Sequence, residues 1–123
     1  MKANIVHALA RAVALGDAAA AAGFDWPGID GVLDKVAEET QELRDAIASG
    51  DRSHAEAELG DLLFALTSVA RHLGVDPEAA LDGTNRRFEA RYAHMRAAAG
   101  ERWRTLSLDE MESLWQQAKQ SLL

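Results

Sequence analysis

No cysteine occurs in these 123 residues, so disulfide bonds, thiol nucleophiles and cysteine-ligated zinc are all excluded. Proline appears only at Pro27 and Pro77, both at places where a helix would begin, so no proline-rich linker is present. Long apolar runs are also lacking. The alanine-rich start is interrupted by Arg11 and Asp17, which argues against a signal peptide or a membrane span and makes the cytoplasm the expected location. Positive charge is scarce: 13 lysines and arginines face 20 aspartates and glutamates, a net charge of -7. A broad basic footprint for a nucleic acid polymer is therefore missing. No alternation of polar and apolar residues runs long enough for a strand.

What is present is helix. Residues 3–22 read as an alanine-rich first helix that ends near Gly23, followed by a loop through Phe24, Asp25, Trp26, Pro27 and Gly28. A second helix is expected from Ile29 to Ser49, with Ile29, Val32, Val36, Leu43 and Ile47 on one stripe and Gly50 as its stop. Ser53 with Glu56 reads as a capping box opening a third helix that ends at Gly74. Asp76 and Pro77 start a fourth, reaching about Ala99. Ser107 with Glu110 caps a fifth that continues to the C-terminus. The expected fold is all-α, an antiparallel helical bundle of about five helices forming a single domain over 1–123. The third helix carries Leu59, Leu62, Leu63, Phe64, Leu66, Val69 and Leu73, apolar almost all round, which suits a bundle centre or a subunit interface.

Two carboxylate pairs stand out on these helices, Glu39/Glu42 and Glu58/Asp61. Residues three apart are neighbours on a helix surface, so each pair directs its oxygens at one spot. Glu39 falls roughly 60° from the centre of its apolar stripe and Glu42 roughly 120°, at about 100° per residue. The plain alternative is a set of solvated charges, with Glu39 simply paired to Lys35 one turn away. The third helix weighs against it, because Glu58 and Asp61 on an apolar, buried helix would each cost several kcal/mol (roughly) without a positive partner. Hard divalent cations take oxygen ligands of this kind and usually share them with phosphate. Small Ala46 and Ala65 are expected to leave room above the carboxylates. His54 and His72 share a face of the third helix but lie turns apart, and His7 and His94 are expected at the surface. No zinc-type histidine pair occurs.

The order of features resembles the MazG nucleoside triphosphate pyrophosphohydrolases, of the all-α NTP pyrophosphatase superfamily. The stretches that carry the resemblance are Gly23 to Pro27, Asp34 to Glu39 with Glu42, Glu58 to Ala65, Ala70 to Leu73, Asn85 to Tyr92, and Leu114 to Lys119. They span a motif-bearing core from about residue 23 to 119, behind the N-terminal helix of residues 1–22. The resemblance implies hydrolysis of NTPs or dNTPs to nucleoside monophosphate and pyrophosphate, with Mg2+ as cofactor and Mn2+ as a substitute. By position, Glu39, Glu42, Glu58 and Asp61 are implied as metal ligands, with Glu38 as an extra ligand or water-orienting group. The resemblance further implies a site built from a four-helix core and completed by dimerisation, in a homodimer or a homotetramer. Longer MazG proteins carry two such domains, and this chain resembles the C-terminal one. Arg87 stands where the family often has lysine; it keeps the charge but forks differently onto phosphate.

Further roles combine residue chemistry with that resemblance. Glu38 or Glu39 is the expected base for the attacking water. Arg87 and Arg91, one turn apart around Phe88, form a basic strip suited to phosphate, the alternative being pairing with nearby acids such as Glu89. Asn85, Lys35 and Lys119 are further candidates for phosphate, ribose or base. Trp115 is the expected stacking surface for a base, although Leu108, Met111, Trp115, Ala118 and Leu122 also read as an ordinary core seam. A dNTP-selective enzyme of the dUTP or dCTP type and a catalytically inactive helical regulatory dimer remain as alternative readings.

Overall fold

The computed structural model describes residues 3–122. It contains five α-helices: α1 (Ala3–Ala21), α2 (Ile29–Ser49), α3 (Arg52–Leu73), α4 (Pro77–Ala99) and α5 (Leu108–Ser121). A short 3-10 helix, Gly100–Thr105, precedes α5. No strand occurs among the described residues, so the all-α expectation holds. The start of the N-terminal segment at residues 1 and 2, and the final residue, 123, lie outside the described residues. The chain divides into two compact units, Met1–Glu78 and Ala79–Leu123.

In the first unit α2 and α3 pack together most extensively, and α1 lies on α3. Only Gly50 and Asp51 separate α2 from α3, which makes the pair an antiparallel hairpin. Gly50 adopts φ 76, a left-handed conformation that costs a glycine little and ends α2. The N-cap of α3 differs from the sequence expectation. Asp51, not Ser53, sits outside the helix and accepts the backbone N–H of His54 at 3.0 Å. Aspartate reaches that N–H from one residue before the helix, so the helix opens two residues earlier than a Ser53 cap requires. Both other expected starts hold: Pro77 begins α4, and Ser107 with Glu110 forms a reciprocal capping box on α5.

Residues shielded from solvent on α2 recur at Ile29, Val32, Val36, Glu39, Leu43 and Ala46, alternating steps of three and four. On α3 the same spacing runs through Ala55, Glu58, Leu62, Ala65, Val69 and His72. Such spacing is the seam of two helices packed nearly antiparallel. Ile47, expected on the α2 stripe, is exposed, and Ala46 holds the buried position instead. Ala46 and Ala65 are buried and let the two helices approach closely.

A second tie fixes the loop before α2. The Asp25 carboxylate accepts from Arg71 Nη2 at 2.9 Å and lies 2.9 Å from His72 Nε2. Arg71 holds the Asp25 carboxyl well below its ordinary value, with His72 adding to the effect. The same guanidinium lies against α1, where a Cβ on buried Gly16 would come 2.6 Å from Nη1. Alanine is a better helix former than glycine by about 1 kcal/mol, yet Gly16→Ala is expected to lower the melting temperature by dislodging Arg71 from Asp25. In an Asp25→Asn background, where Arg71 can move, the same change is expected to raise it. Thermal melts of the four proteins test this coupling.

The second unit is held by aromatic side chains. Phe88 and Tyr92 of α4 stack at 5.9 Å, and Phe88 meets Trp115 of α5 at 5.7 Å. Tyr92 meets Trp103 of the 3-10 helix edge-on at 5.6 Å. Arg96 covers Trp103 at 4.9 Å and donates to the Tyr92 hydroxyl at 3.0 Å. These contacts give the aromatic residues and Arg96 a structural role. Of the α5 seam only Ala118 is fully enclosed, Met111 and Trp115 are half-buried, and Leu108 and Leu122 are exposed.

Candidate functional site

Glu39 occupies a seam position that its neighbours fill with Val32 and Ala46, and it is only 5% exposed. Its Oε1 accepts from Lys35 Nζ at 3.0 Å, one helical turn back. The same ammonium lies 3.5 Å from Glu38, whose side chain is exposed. The hydrogen bond from Lys35 holds the Glu39 carboxyl below its ordinary value, against the opposing effect of burial. Lys35 is raised in return, chiefly by that same bond. The ion pair anticipated as the plain alternative is therefore real. It uses only one of the two carboxylate oxygens, and Glu39 Oε2 is buried with no hydrogen-bond partner.

Glu58 repeats this arrangement on α3. Its side chain is 12% exposed, its Oε1 lies 3.2 Å from His54 Nε2 one turn back, and its Oε2 is buried without a partner. Unpaired buried carboxylate oxygens are costly, and a positive partner between the two helices would offset that cost. Ligating atoms of Glu39, Glu58 and Asp61 all lie within 4.8 Å of one another. Asp61 completes this group from an exposed position, further out than Glu58. Asp61 lies one turn on from Glu58, beyond the α2–α3 seam.

Glu42 borders the group from α2. Its carboxyl is raised above the ordinary value of 4.5 by hydrogen bonding with Glu58, then by the charges of Glu39 and Glu58. The carboxylates whose oxygens converge are thus Glu39, Glu58 and Asp61, with Glu42 influenced by Glu58 and Glu39. Glu38 is exposed beside Glu39 and shares its Lys35 partner. His94 departs from its expected surface place, with Nδ1 buried and unpartnered.

The second unit carries the remaining candidates. Arg91 lies over the Trp115 ring at 5.5 Å, and Phe88 touches the same ring. Arg87 donates to Thr84 Oγ1 at 3.0 Å, not to Glu89, while Arg86 pairs with Asp82 at 2.9 Å. Asn85 and Lys119 are exposed. Sequence reasoning missed the pairing of His54 with Glu58, although their separation of four residues was a readable signal.

A helical hairpin with converging carboxylates on its facing seams defines a class of all-α proteins suited to divalent cations and phosphate. Comparison with known proteins agrees. Residues 29–96, covering α2, α3 and most of α4, match the MazG nucleotide pyrophosphohydrolase domain. Over 119 residues the chain is 41% identical to the nucleoside triphosphate pyrophosphohydrolase of Escherichia coli K12, covering 91% of this chain and 44% of that protein. It is 36% identical over 118 residues to the nucleoside triphosphate pyrophosphohydrolase/pyrophosphatase MazG of Thermotoga maritima, covering 94% of this chain and 45% of that protein. The chain belongs to the MazG nucleotide pyrophosphohydrolase domain family. It spans less than half the length of these relatives. No described helix is long and apolar enough to cross a membrane.

Proposed function

We propose that this chain hydrolyses nucleoside triphosphates to nucleoside monophosphate and pyrophosphate, with Mg2+ held by Glu39, Glu42, Glu58 and Asp61. The observation that carries the proposal is the pair of buried, unpartnered oxygens, Glu39 Oε2 and Glu58 Oε2, beside Asp61. The donor set fits the group: all oxygen, anionic and fixed on two packed helices, as a hard cation requires. Mn2+ is expected to substitute. When bound, the cation supplies neutralisation of phosphate charge and acidification of water. The chain's residues supply the rest. Lys35 fixes Glu39 by its 3.0 Å bond and sets the direction of its free oxygen. Glu38 is exposed beside Glu39 and is assigned as the base that takes the proton of the attacking water, with Glu39 as the other carboxylate in reach of that role.

In the second unit, Arg87, Arg91 and Lys119 are assigned to phosphate oxygens, and Asn85 to a phosphate or a ribose hydroxyl. A bound phosphate would compete with Thr84 for Arg87, replacing a neutral hydroxyl acceptor by an anionic oxygen. Trp115, with Arg91 over its ring, is assigned to stacking with the base. The test is product analysis from a panel of NTPs and dNTPs with Mg2+. Equal amounts of monophosphate and pyrophosphate are expected; diphosphate with orthophosphate, or no turnover, would overturn the assignment. The ranking within the panel separates a broad pool-cleaning enzyme from a dUTP- or dCTP-selective one.

Self-association is part of the proposal. Leu59, Leu63 and Leu66 are exposed on α3 at steps of four and three, an apolar stripe, with Leu73 exposed two turns further on. A second copy presenting the same stripe would cover it symmetrically, giving a homodimer, or a homotetramer if two dimers pair. Leu63→Glu is expected to reduce the mass measured by light scattering to that of the 13.3 kDa chain. An unchanged mass would place any interface elsewhere.

A further inference from the structure

We infer that His54 is a positioning residue for the cation site, holding Glu58 as Lys35 holds Glu39. The inference rests on the cation reading above and deepens it. Each buried carboxylate has a basic residue four positions earlier on its own helix, Lys35 for Glu39 and His54 for Glu58. In both pairs the basic nitrogen contacts Oε1, at 3.0 and 3.2 Å respectively. In both, Oε2 is left buried with no partner. A carboxylate held at one oxygen cannot swing about its last torsion, so its other oxygen stays aimed into the cluster. Supporting bonds of this kind orient ligands before the cation arrives.

The anchor of His54 is itself fixed. Its backbone N–H is the one that the Asp51 N-cap accepts, at 3.0 Å, so the first turn of α3 is locked where the imidazole departs. From there the ring spans one turn to Glu58, with Nε2–H donating. His54 is itself 53% exposed, so a fully solvated alternative was open to it, and an ordinary surface pair would leave neither Glu58 oxygen buried.

The test is Mn2+ binding to the full chain without nucleotide, read from the electron paramagnetic resonance of free Mn2+. Three proteins are compared: wild type, His54→Ala and His54→Gln, whose amide N–H takes the place of Nε2–H. His54→Ala is expected to weaken Mn2+ binding by about tenfold or more, and His54→Gln to stay within about twofold of wild type. Circular dichroism melts establish that all three are folded. Equal affinity in wild type and His54→Ala would overturn the positioning role while leaving the cation site intact. Equal loss in both variants would overturn it too, because a donated hydrogen bond would then not be what matters. If wild type itself binds no Mn2+, the cation reading falls and this inference with it.

Discussion

Glu58→Gln is expected to lower Mg2+-dependent pyrophosphate release by roughly a thousandfold, equivalent to about 4 kcal/mol of transition-state stabilisation. The change is isosteric, so the α2–α3 seam keeps its packing and His54 can still reach the amide oxygen. What is lost is the charge on the oxygen that faces the cluster unpartnered. Folding should not suffer, since Glu58 raises the Glu42 carboxyl and removing its charge relieves that neighbour. Activity is thus expected to collapse while the metal-free melting temperature holds or rises. Steady-state kinetics with a matched thermal melt check both parts. A parallel fall in the two would mean that Glu58 is structural.

Divalent cation is expected to raise the melting temperature of the wild type by about 10 °C at a hundredfold excess over its dissociation constant. Binding to the folded state alone is worth about 2.7 kcal/mol at that excess, and a domain of this size shifts by about 4 °C per kcal/mol. Asp61→Asn should remove most of the shift. The metal-free protein carries a related pH signature. Glu42 has a raised folded-state pKa, so its contribution is fully present below 4.5 and is lost as pH rises through the raised value. Glu39, lowered by Lys35, contributes above 4.5 and loses that contribution as pH falls through its lowered value. Metal-free protein should therefore lose stability on the alkaline side of 4.5. Saturating Mg2+ should flatten that slope, because a bound cation favours the ionised carboxylates. Scanning calorimetry across pH, with and without cation, measures it.

Much of this was readable from the residues. Helix boundaries followed from caps and breakers: Gly50, Gly74, Pro77 and the Ser107 box all act where the sequence places them. The cap of α3 was misread because Asp51 and Ser53 both satisfy a capping pattern, and only the backbone decides which stands outside the helix. The carboxylate cluster was legible because two acids occupy seam positions on apolar helices. The exposure of Asp61 follows from the same geometry, since three residues beyond Glu58 the helix has rotated off the seam. Hidden, by contrast, was the tie from Asp25 to Arg71 and His72, which joins residues 46 and 47 positions apart. No local pattern encodes a contact of that separation.

The most direct measurement is an anomalous difference map from crystals soaked with Mn2+. A peak bounded by the carboxylates of Glu39, Glu58 and Asp61, with Glu42 at its edge, is expected, and no such peak in Asp61→Asn. A peak elsewhere on the chain, or none at this cluster in crystals of a protein that turns over nucleotide, would contradict the proposed cation site.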